Sequence, residues 1–180
     1  GGEESFGFMP ADFVRDKDSV SSCVLMAEIA AWAKDQGKTL FELLKAIYVE
    51  YGFSKEKMKY IVREGQQGAI EINNLMVGFR NNPPKELGGS KLAIIKDYLT
   101  LSERNVITGE VKPIVQKITS DVLQFFTEDG SKVSVRPSGT EPKIKFYFEV
   151  KSTLDSIEKY NEAEAIADEK INVMLTQLVK

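Results

Sequence analysis

Histidine is absent from this chain of 180 residues, and cysteine and tryptophan occur once each. Without histidine, the chain can build neither a Ser-His-Asp nor a Cys-His catalytic site, and it can form no histidine metal site. A single cysteine excludes an internal disulfide and is typical of proteins from a reducing compartment, so we predict a cytoplasmic location. Three large classes of hydrolase and metal chemistry are therefore excluded at the outset.

Charge and hydropathy argue against two further classes of partner, nucleic acids and membranes. The net charge of −3 gives no broad basic field, which argues against nucleic acid as a partner. No apolar run approaches the roughly 18 residues that a membrane-spanning helix needs. With 42% hydrophobic and 28% charged residues, the composition is that of a globular protein with a sizeable core. We expect a soluble protein that binds neither nucleic acid nor membrane.

The first part of the chain is helical by pattern. Residues 19–36 form an apolar helix that ends at Gly37, and residues 39–42, TLFE, are a capping box that begins a second helix. Cys23 and Trp32 lie in the first, very apolar helix, so we predict that both side chains are buried. Gly52 ends the second helix, and we place the boundary in residues 52–54, which divides the chain into domains 1–53 and 54–180.

The second part mixes strands and helices. Alternating apolar and polar residues predict strands at 56–63, 91–100, 122–126, 132–136 and 143–150. Helical periodicity predicts helices at 67–80 and 154–178, the second with an apolar stripe at Ile157, Tyr160, Ala167, Ile171, Met174 and Leu178. Asp129-Gly130 is typical of a hairpin turn. The fold class is therefore α+β, an antiparallel sheet with helices packed on one face.

Residues 136–145, RPSGTEPKIK, concentrate groups that bind phosphate. Arg136 can offer a planar fork to two phosphate oxygens. Ser138 and Thr140 can each donate a hydroxyl proton. Gly139 permits a positive φ, so neighbouring backbone N–H groups could converge on an anion as a nest. The alternative interpretation is an ordinary tight turn, which the prolines and glycine also describe.

The lysines that follow this turn strengthen the phosphate interpretation. Lys143 and Lys145 alternate with Ile144 and Phe146, a period of two that predicts a strand with both ammonium groups on one face. Basic residues therefore flank the turn on both sides, with Glu141 as the only acid between them. The nucleotide-binding pattern GxxxxGK[ST] is absent, so nothing indicates a nucleoside triphosphate.

The residues above carry a family resemblance. Residues 136–145 resemble the phosphate-binding loop of the fourth domain of the α-D-phosphohexomutases, the phosphoglucomutase and phosphomannomutase family. Residues 2–7, GEESFG, resemble the sugar-recognition loop of the third domain, and residues 15–18, RDKD, are similar to the basic segment after it. The three motifs stand in family order. The resemblance implies a C-terminal fragment in which residues 1–53 are the helical remnant of an α/β domain and 54–180 are the fourth domain.

The resemblance also implies roles for particular residues. It assigns phosphate binding to Arg136, Ser138, Gly139, Thr140, Lys143 and Lys145. It assigns sugar binding to Glu3 and Ser5, and contact with phosphate near the chemistry to Lys17 and Arg15. Sugar chemistry supports the second pair, because a carboxylate can accept hydrogen bonds from vicinal hydroxyls and a serine can add another. The alternatives are a solvated terminus for residues 1–7, and a charged helix approach with Asp18 or Ser19 as N-cap for 15–18.

The activity implied by the resemblance belongs to a longer protein. Family members interconvert hexose 1-phosphate and hexose 6-phosphate through a phosphoserine and a bisphosphate intermediate, as intramolecular phosphotransferases classed as isomerases. The full-length enzyme would use Mg²⁺ and hexose 1,6-bisphosphate as cofactors. The phosphoserine loop and the magnesium loop have no counterpart in these 180 residues. The fragment is therefore expected to contain no catalytic residue, to bind no metal and to be inactive alone.

The implied partners are a hexose phosphate, of glucose or mannose, and the missing N-terminal domains of the same chain. The apolar first helix also predicts that the isolated fragment self-associates. Two alternative functions remain open. One is a free-standing phosphosugar-binding module without catalysis, and the other is an interaction domain in which residues 136–145 are only a turn.

Overall fold

The structure is a computed structural model that describes residues 1–3, 7–13, 15–139 and 141–179, with the backbone alone for Glu3. The chain divides into two compact units, Gly1–Tyr51 and Gly52–Lys180. Among the described residues, no helix is both long and apolar enough to span a membrane.

The first unit consists of a short hairpin and two helices. Its elements are β1 (Gly2–Glu3), β2 (Gly7–Phe8), α1 (Ser19–Asp35) and α2 (Leu40–Tyr51). Asp18 caps α1, because its Oδ1 accepts a hydrogen bond from Val20 N at 3.1 Å and its Oδ2 accepts one from Ser21 N at 2.8 Å. The hydrogen bonds from Ser21 and Val20 lower the pKa of Asp18. Of the two N-cap residues that the sequence offered, Asp18 and Ser19, the structure has Asp18.

The end of α1 follows the predicted glycine stop. Gly37 has a φ of 66°, in the region that favours glycine. Its N–H donates to Lys34 O at 2.9 Å, and Lys38 N donates to Ala33 O at 2.9 Å. These two bonds satisfy carbonyl groups that the last turn leaves without an intrahelical partner. The predicted end of the first helix is confirmed to within one residue.

The predicted capping box at the start of α2 is also confirmed. Thr39 N donates to Glu42 Oε2 at 2.7 Å, and Glu42 N donates to Thr39 Oγ1 at 3.2 Å. Each side chain thus satisfies a backbone N–H group of the first turn. The bonds from Thr39 lower the pKa of the Glu42 carboxyl.

The predicted burial of Cys23 and Trp32 is wrong. Cys23 is exposed, and Trp32 is 56% exposed. Ala33 is the one buried residue that the structure describes in α1, and α2 has none. The reason is that one neighbouring helix and a short hairpin cannot enclose a helix that is apolar on all sides. Self-association through this apolar surface stays a prediction.

The second unit is a sheet with two long helices. Its elements are β3 (Phe53–Val62), α3 (Gly65–Asn81), β4 (Glu86–Leu87), β5 (Ser90–Asp97), β6 (Ser102–Asn105), β7 (Val111–Pro113), β8 (Leu123–Thr127), β9 (Lys132–Pro137), β10 (Lys143–Ser152), a 3₁₀ turn (Ile157–Lys159) and α4 (Tyr160–Leu178). The strand order is β3-β10-β9-β8-β5-β6-β7, with β4 paired to β5, and every pair is antiparallel. The predicted α+β class is confirmed.

Two predicted elements are too long. β5 ends at Asp97 rather than at residue 100, because Asp97 Oδ1 accepts a hydrogen bond from Leu99 N at 2.9 Å and so stabilises a turn. The last helix begins at Tyr160 rather than at 154, and Ile157 is 40% exposed instead of lying in the buried stripe. The short strands β4, β6 and β7 were not predicted.

Alternation along β10 places the core on one face of the sheet. Ile144, Phe146 and Phe148 are each at most 2% exposed, and the residues between them are half-buried. Phe79 of α3 packs edge-on against Phe125 and Phe146, with ring centroids 6.2 and 6.3 Å apart. From α4, the buried side chains are Tyr160, Ala167, Ile171, Met174 and Leu178. Both helices therefore cover the same face of the sheet, and no described helix of this unit covers the opposite face, which is called the open face below.

A polar cluster joins the β8–β9 hairpin to α4. The Asp129 carboxylate accepts hydrogen bonds from Lys170, from Thr127 Oγ1 at 2.7 Å and from Ser131 N at 3.1 Å. Lys170 Nζ also donates to the buried Ser131 Oγ at 3.0 Å. Burial by itself would raise the pKa of Asp129, but the bonds from Lys170, Thr127 and Ser131 outweigh it and hold the pKa well below its usual range.

This cluster predicts a pH-dependent stability. Because the folded-state pKa of Asp129 is below its ordinary value of 3.8, the carboxylate stabilises the fold above pH 3.8, and this contribution is lost as pH falls towards the folded-state pKa. The Asp129 side chain is 39% exposed, so screening by solvent limits the contribution to about 1 kcal/mol. Asp129→Asn should remove it at pH 7 and flatten the acid dependence.

Urea unfolding followed by far-ultraviolet circular dichroism at pH 7, 5 and 3 measures this effect. Asp155→Asn is the matched control, because the Asp155 side chain is 71% exposed and pairs only with Lys159 of the next turn among the contacts described. An acid dependence as steep in Asp129→Asn as in the wild type would show that Asp129 does not carry it.

Candidate phosphate-binding site

The turn between β9 and β10 is held in place by backbone bonds. Ser138 N donates to Lys143 O at 2.7 Å, and Lys143 N donates to Glu141 O at 2.7 Å. Ser138 Oγ accepts from Glu141 N at 3.3 Å. Arg63, just after β3, donates its N–H to Pro142 O at 2.9 Å. Two strands and the end of a third therefore position this turn, while Thr140 lies outside the described residues.

Gly139 is exposed, and nothing lies within 4 Å of the position that a Cβ would occupy. A ligand can therefore approach the backbone here closely. Gly139 does not have a positive φ, so the predicted nest of N–H groups is not formed through a left-handed conformation of this residue.

Strand register places the basic side chains on the open face. Arg136 in β9 stands directly opposite Lys145 in β10, so their side chains share a face. Lys143 is two residues before Lys145 and lies on that same face, whereas Ile144 between them is fully buried on the other. The prediction that both ammonium groups lie on one face of a strand is confirmed.

Tyrosine rings lie beside both lysines. Lys143 Nζ is 4.3 Å from the centroid of the Tyr60 ring, and Lys145 Nζ is 5.9 Å from the centroid of the Tyr147 ring. Such cation–π contacts restrain the long lysine side chains. Tyr60 was missed in the sequence because it belongs to β3, and its neighbourhood to Lys143 depends on the pairing of β3 with β10.

A cleft of about 570 Å³ lies on the other side of the same turn. Its lining comprises Gly65, Ala69, Ile72, Asn73, Asp121, Pro137, Ser138, Gly139, Glu141 and Pro142. Pro137 follows Arg136 in β9 and stands opposite the buried Ile144, so the cleft opens on the helix-covered face. Glu141 gives it a carboxylate, which disfavours phosphate, whereas the Asp121 carboxylate is paired with Arg80. The cleft and the basic side chains are therefore on opposite faces.

The first unit brings its two predicted motifs together. A Cβ at Gly7 would lie 2.7 Å from Lys17 Cβ. Glycine is therefore required at this position of β2 to leave room for the half-buried Lys17 side chain. Phe8 N donates to Ser22 Oγ at 3.0 Å, which ties the hairpin to α1. Gly7 of the first motif and Lys17 of the second are thus neighbours in the folded unit.

The remaining predicted residues of this unit are only partly described. Arg15 is exposed. Ser5 lies outside the described residues. Of Glu3 the structure describes the backbone, which pairs with Gly7.

Two family models match the chain. The model described as "Phosphoglucomutase/phosphomannomutase, alpha/beta/alpha domain III" matches residues 1–51, and the one described as "Phosphoglucomutase/phosphomannomutase, C-terminal domain" matches residues 94–167. The chain belongs to the phosphoglucomutase/phosphomannomutase family. The resemblance found in the three motifs is thereby confirmed, and the chain matches the third-domain and C-terminal-domain parts of the family in that order.

Curated relatives agree with this family assignment. A phosphoglucomutase of Staphylococcus aureus (strain bovine RF122 / ET3-1) is 40% identical over 149 residues, which are 83% of this chain and 27% of the relative. A phosphoglucomutase of Staphylococcus haemolyticus (strain JCSC1435) is 36% identical over 160 residues, 89% of this chain and 28% of the relative. The chain therefore spans little more than a quarter of the length of these relatives.

A solved structure is also similar. Parafusin from Paramecium, an exocytosis-sensitive phosphoprotein described as a phosphoglucomutase in its open form, aligns with a TM-score of 0.49 and 19% identity. The alignment covers 87% of this chain and 28% of that protein.

Proposed function

We propose that this chain is the C-terminal portion of a phosphohexomutase, in which it anchors the phosphate that is not being transferred. The supporting observation is the register that sets Arg136 opposite Lys145, with Lys143 on the same face beside an exposed glycine turn. Each charge-assisted hydrogen bond to a phosphate oxygen contributes about 1.5–3 kcal/mol. Cations gathered on one face at the end of two strands suit a dianionic ligand.

Each group has a distinct part in this anchor. The Arg136 guanidinium binds two phosphate oxygens through its planar fork. Lys143 and Lys145 act as point charges with several donors each, and the Ser138 and Thr140 hydroxyls donate to the remaining oxygens. The open space at Gly139 lets the phosphate reach the backbone of the turn.

The first unit supplies the sugar and active-site contacts in this proposal. Glu3 accepts hydrogen bonds from vicinal hydroxyls of the hexose, and Ser5 adds a further bond. Lys17 and Arg15 neutralise phosphate near the reacting group. The packing of the Lys17 side chain against Gly7 supports their action with the loop at residues 2–7 as one site.

The proposed reaction of the whole protein interconverts hexose 1-phosphate and hexose 6-phosphate through a phosphoserine and hexose 1,6-bisphosphate. Such transfer depends on positioning and charge stabilisation. The residues of this chain hold and orient the substrate, and binding at a remote phosphate lowers the barrier only when the reacting groups are also present. The chain alone is therefore expected to show no turnover of glucose 1-phosphate, and turnover by these 180 residues would contradict this part of the proposal.

Magnesium is implied by the family for the full-length enzyme. Among the residues that the structure describes, no group of three or more Asp, Glu, Cys or His side chains could hold a metal ion. The described residues thus do not fit a magnesium site, and no role through the metal is assigned to them.

An amide NMR titration with glucose 1-phosphate tests the anchoring role directly. Shifts at Arg136 and at residues 138–145 are expected with glucose 1-phosphate and should be absent with glucose, which lacks the phosphate. Without any shift at millimolar ligand, the anchoring role fails. Binding without turnover after fusion to the N-terminal part of the S. aureus relative would instead favour the free-standing phosphosugar-binding module.

A further inference from the structure

Three adjacent strands carry a row of side chains on the open face. Tyr60 in β3 stands opposite Lys145 in β10, and Lys145 stands opposite Arg136 in β9. Neighbouring strands are about 4.8 Å apart, so the row spans roughly 10 Å from Tyr60 to Arg136. Tyr60 therefore lies at the edge of the group of residues proposed to bind phosphate.

The ring of Tyr60 contacts the second lysine of this group. Lys143 stands opposite Val62, two residues beyond Tyr60, so Lys143 and Tyr60 are diagonal neighbours across the β3–β10 pair. Lys143 Nζ is 4.3 Å from the ring centroid. A free lysine side chain samples many rotamers, and a contact that favours one of them lowers the entropic cost of binding an anion.

We propose that Tyr60 is a positioning residue of the phosphate site, whose ring holds the Lys143 ammonium above the row formed with Lys145 and Arg136. This inference rests on the proposed function. The ring uses one side of the ammonium group and leaves N–H donors for the phosphate. Three cations from two strands then converge on one ligand, with the third strand supplying the ring that orients one of them.

Paired substitutions separate the ring from the hydroxyl of Tyr60. Tyr60→Leu should weaken glucose 1-phosphate binding about threefold, the size expected for an exposed cation–π contact, while Tyr60→Phe should leave it unchanged. In the Lys143→Met background, Tyr60→Leu should have no further effect. Tyr51→Leu is the matched control, since Tyr51 is exposed and belongs to the other unit.

A spectroscopic readout confirms the geometry without ligand. The ε-methylene protons of Lys143 should show an upfield ring-current shift that survives in Tyr60→Phe and disappears in Tyr60→Leu. If Tyr60→Leu unfolded the chain, amide resonances throughout the spectrum would change. The Tyr60→Phe spectrum, in which only resonances near residue 60 should move, is the reference for a folded variant.

The outcomes distinguish this inference from the proposal beneath it. Unchanged binding in Tyr60→Leu, with weaker binding in Arg136→Ala, overturns the role of Tyr60 and leaves the phosphate anchor standing. Equal losses in Tyr60→Phe and Tyr60→Leu, or a further loss in the Lys143→Met background, also overturn it. If the wild-type chain shows no glucose 1-phosphate binding, both fail together.

Discussion

Arg136→Ala is expected to weaken the binding of glucose 1-phosphate by about tenfold to a hundredfold. The substitution removes a guanidinium that can make two charge-assisted hydrogen bonds to one phosphate, and a loss of about 1.4 kcal/mol corresponds to a factor of ten. Arg136 is exposed, so its removal should leave the fold intact. The dissociation constant comes from the amide NMR titration described above.

Two further variants show whether the fork geometry matters as well as the charge. Arg136→Lys keeps the charge but loses the planar fork, so an intermediate affinity is expected. Arg104→Ala is the control for a general change in charge, because Arg104 is an exposed arginine of β6, several strands away in the same sheet. Equal affinities in Arg136→Ala and Arg104→Ala would refute the assignment of Arg136 to the anchor.

Phe146→Ala should destabilise the second unit by about 3–5 kcal/mol, the usual cost of truncating a buried phenylalanine. Phe146 is fully buried in β10, packs edge-on against Phe79 and stacks on Phe148 with centroids 6.4 Å apart. The cavity would open beneath the two strands that carry the proposed phosphate site. Ligand binding should therefore weaken as the unit unfolds.

The measurement must follow the second unit itself. Trp32 is the sole tryptophan of the chain and lies in the first unit, so tryptophan fluorescence does not report on Phe146. Urea unfolding by far-ultraviolet circular dichroism, with amide NMR to assign the transition, is suitable. Val115→Ala is the control, because Val115 is 96% exposed and its truncation should change the free energy of unfolding by less than about 0.5 kcal/mol. If Phe146→Ala lowered the free energy of unfolding no more than Val115→Ala does, the prediction would be wrong.

Much of the fold was predictable from local signals. The capping box at Thr39 and Glu42 satisfies its own backbone groups within one turn, so four residues of sequence are enough to locate it. The alternation of Lys143, Ile144 and Lys145 predicted both a strand and which residues share its face. The turn at Asp129 and Gly130 was recognisable because an Asp-Gly pair is typical of hairpin turns, and Gly130 has a φ of 82° in the structure.

Other features were not predictable because their cause lies far away in the chain. β6 and β7 are only four and three residues long, and they exist because they extend the edge of a sheet already formed by longer strands. The exposure of Cys23 and Trp32 depends on what surrounds α1, not on its own pattern. Whether Gly139 uses the positive φ that glycine permits is likewise not fixed by the sequence, and in the structure it does not.

The sequence by itself determined the class of the fold, the ends of most long elements and the set of groups in residues 136–145 that we propose to bind phosphate, because these depend on the chemistry and periodicity of neighbouring residues. Only the tertiary structure decided that Arg136 stands opposite Lys145, that Tyr60 contacts Lys143 and that the cleft opens on the other face. Those relations depend on the register between strands that are distant in sequence. Register is selected when a whole hydrophobic face is buried at once, and no local stretch of sequence contains that information.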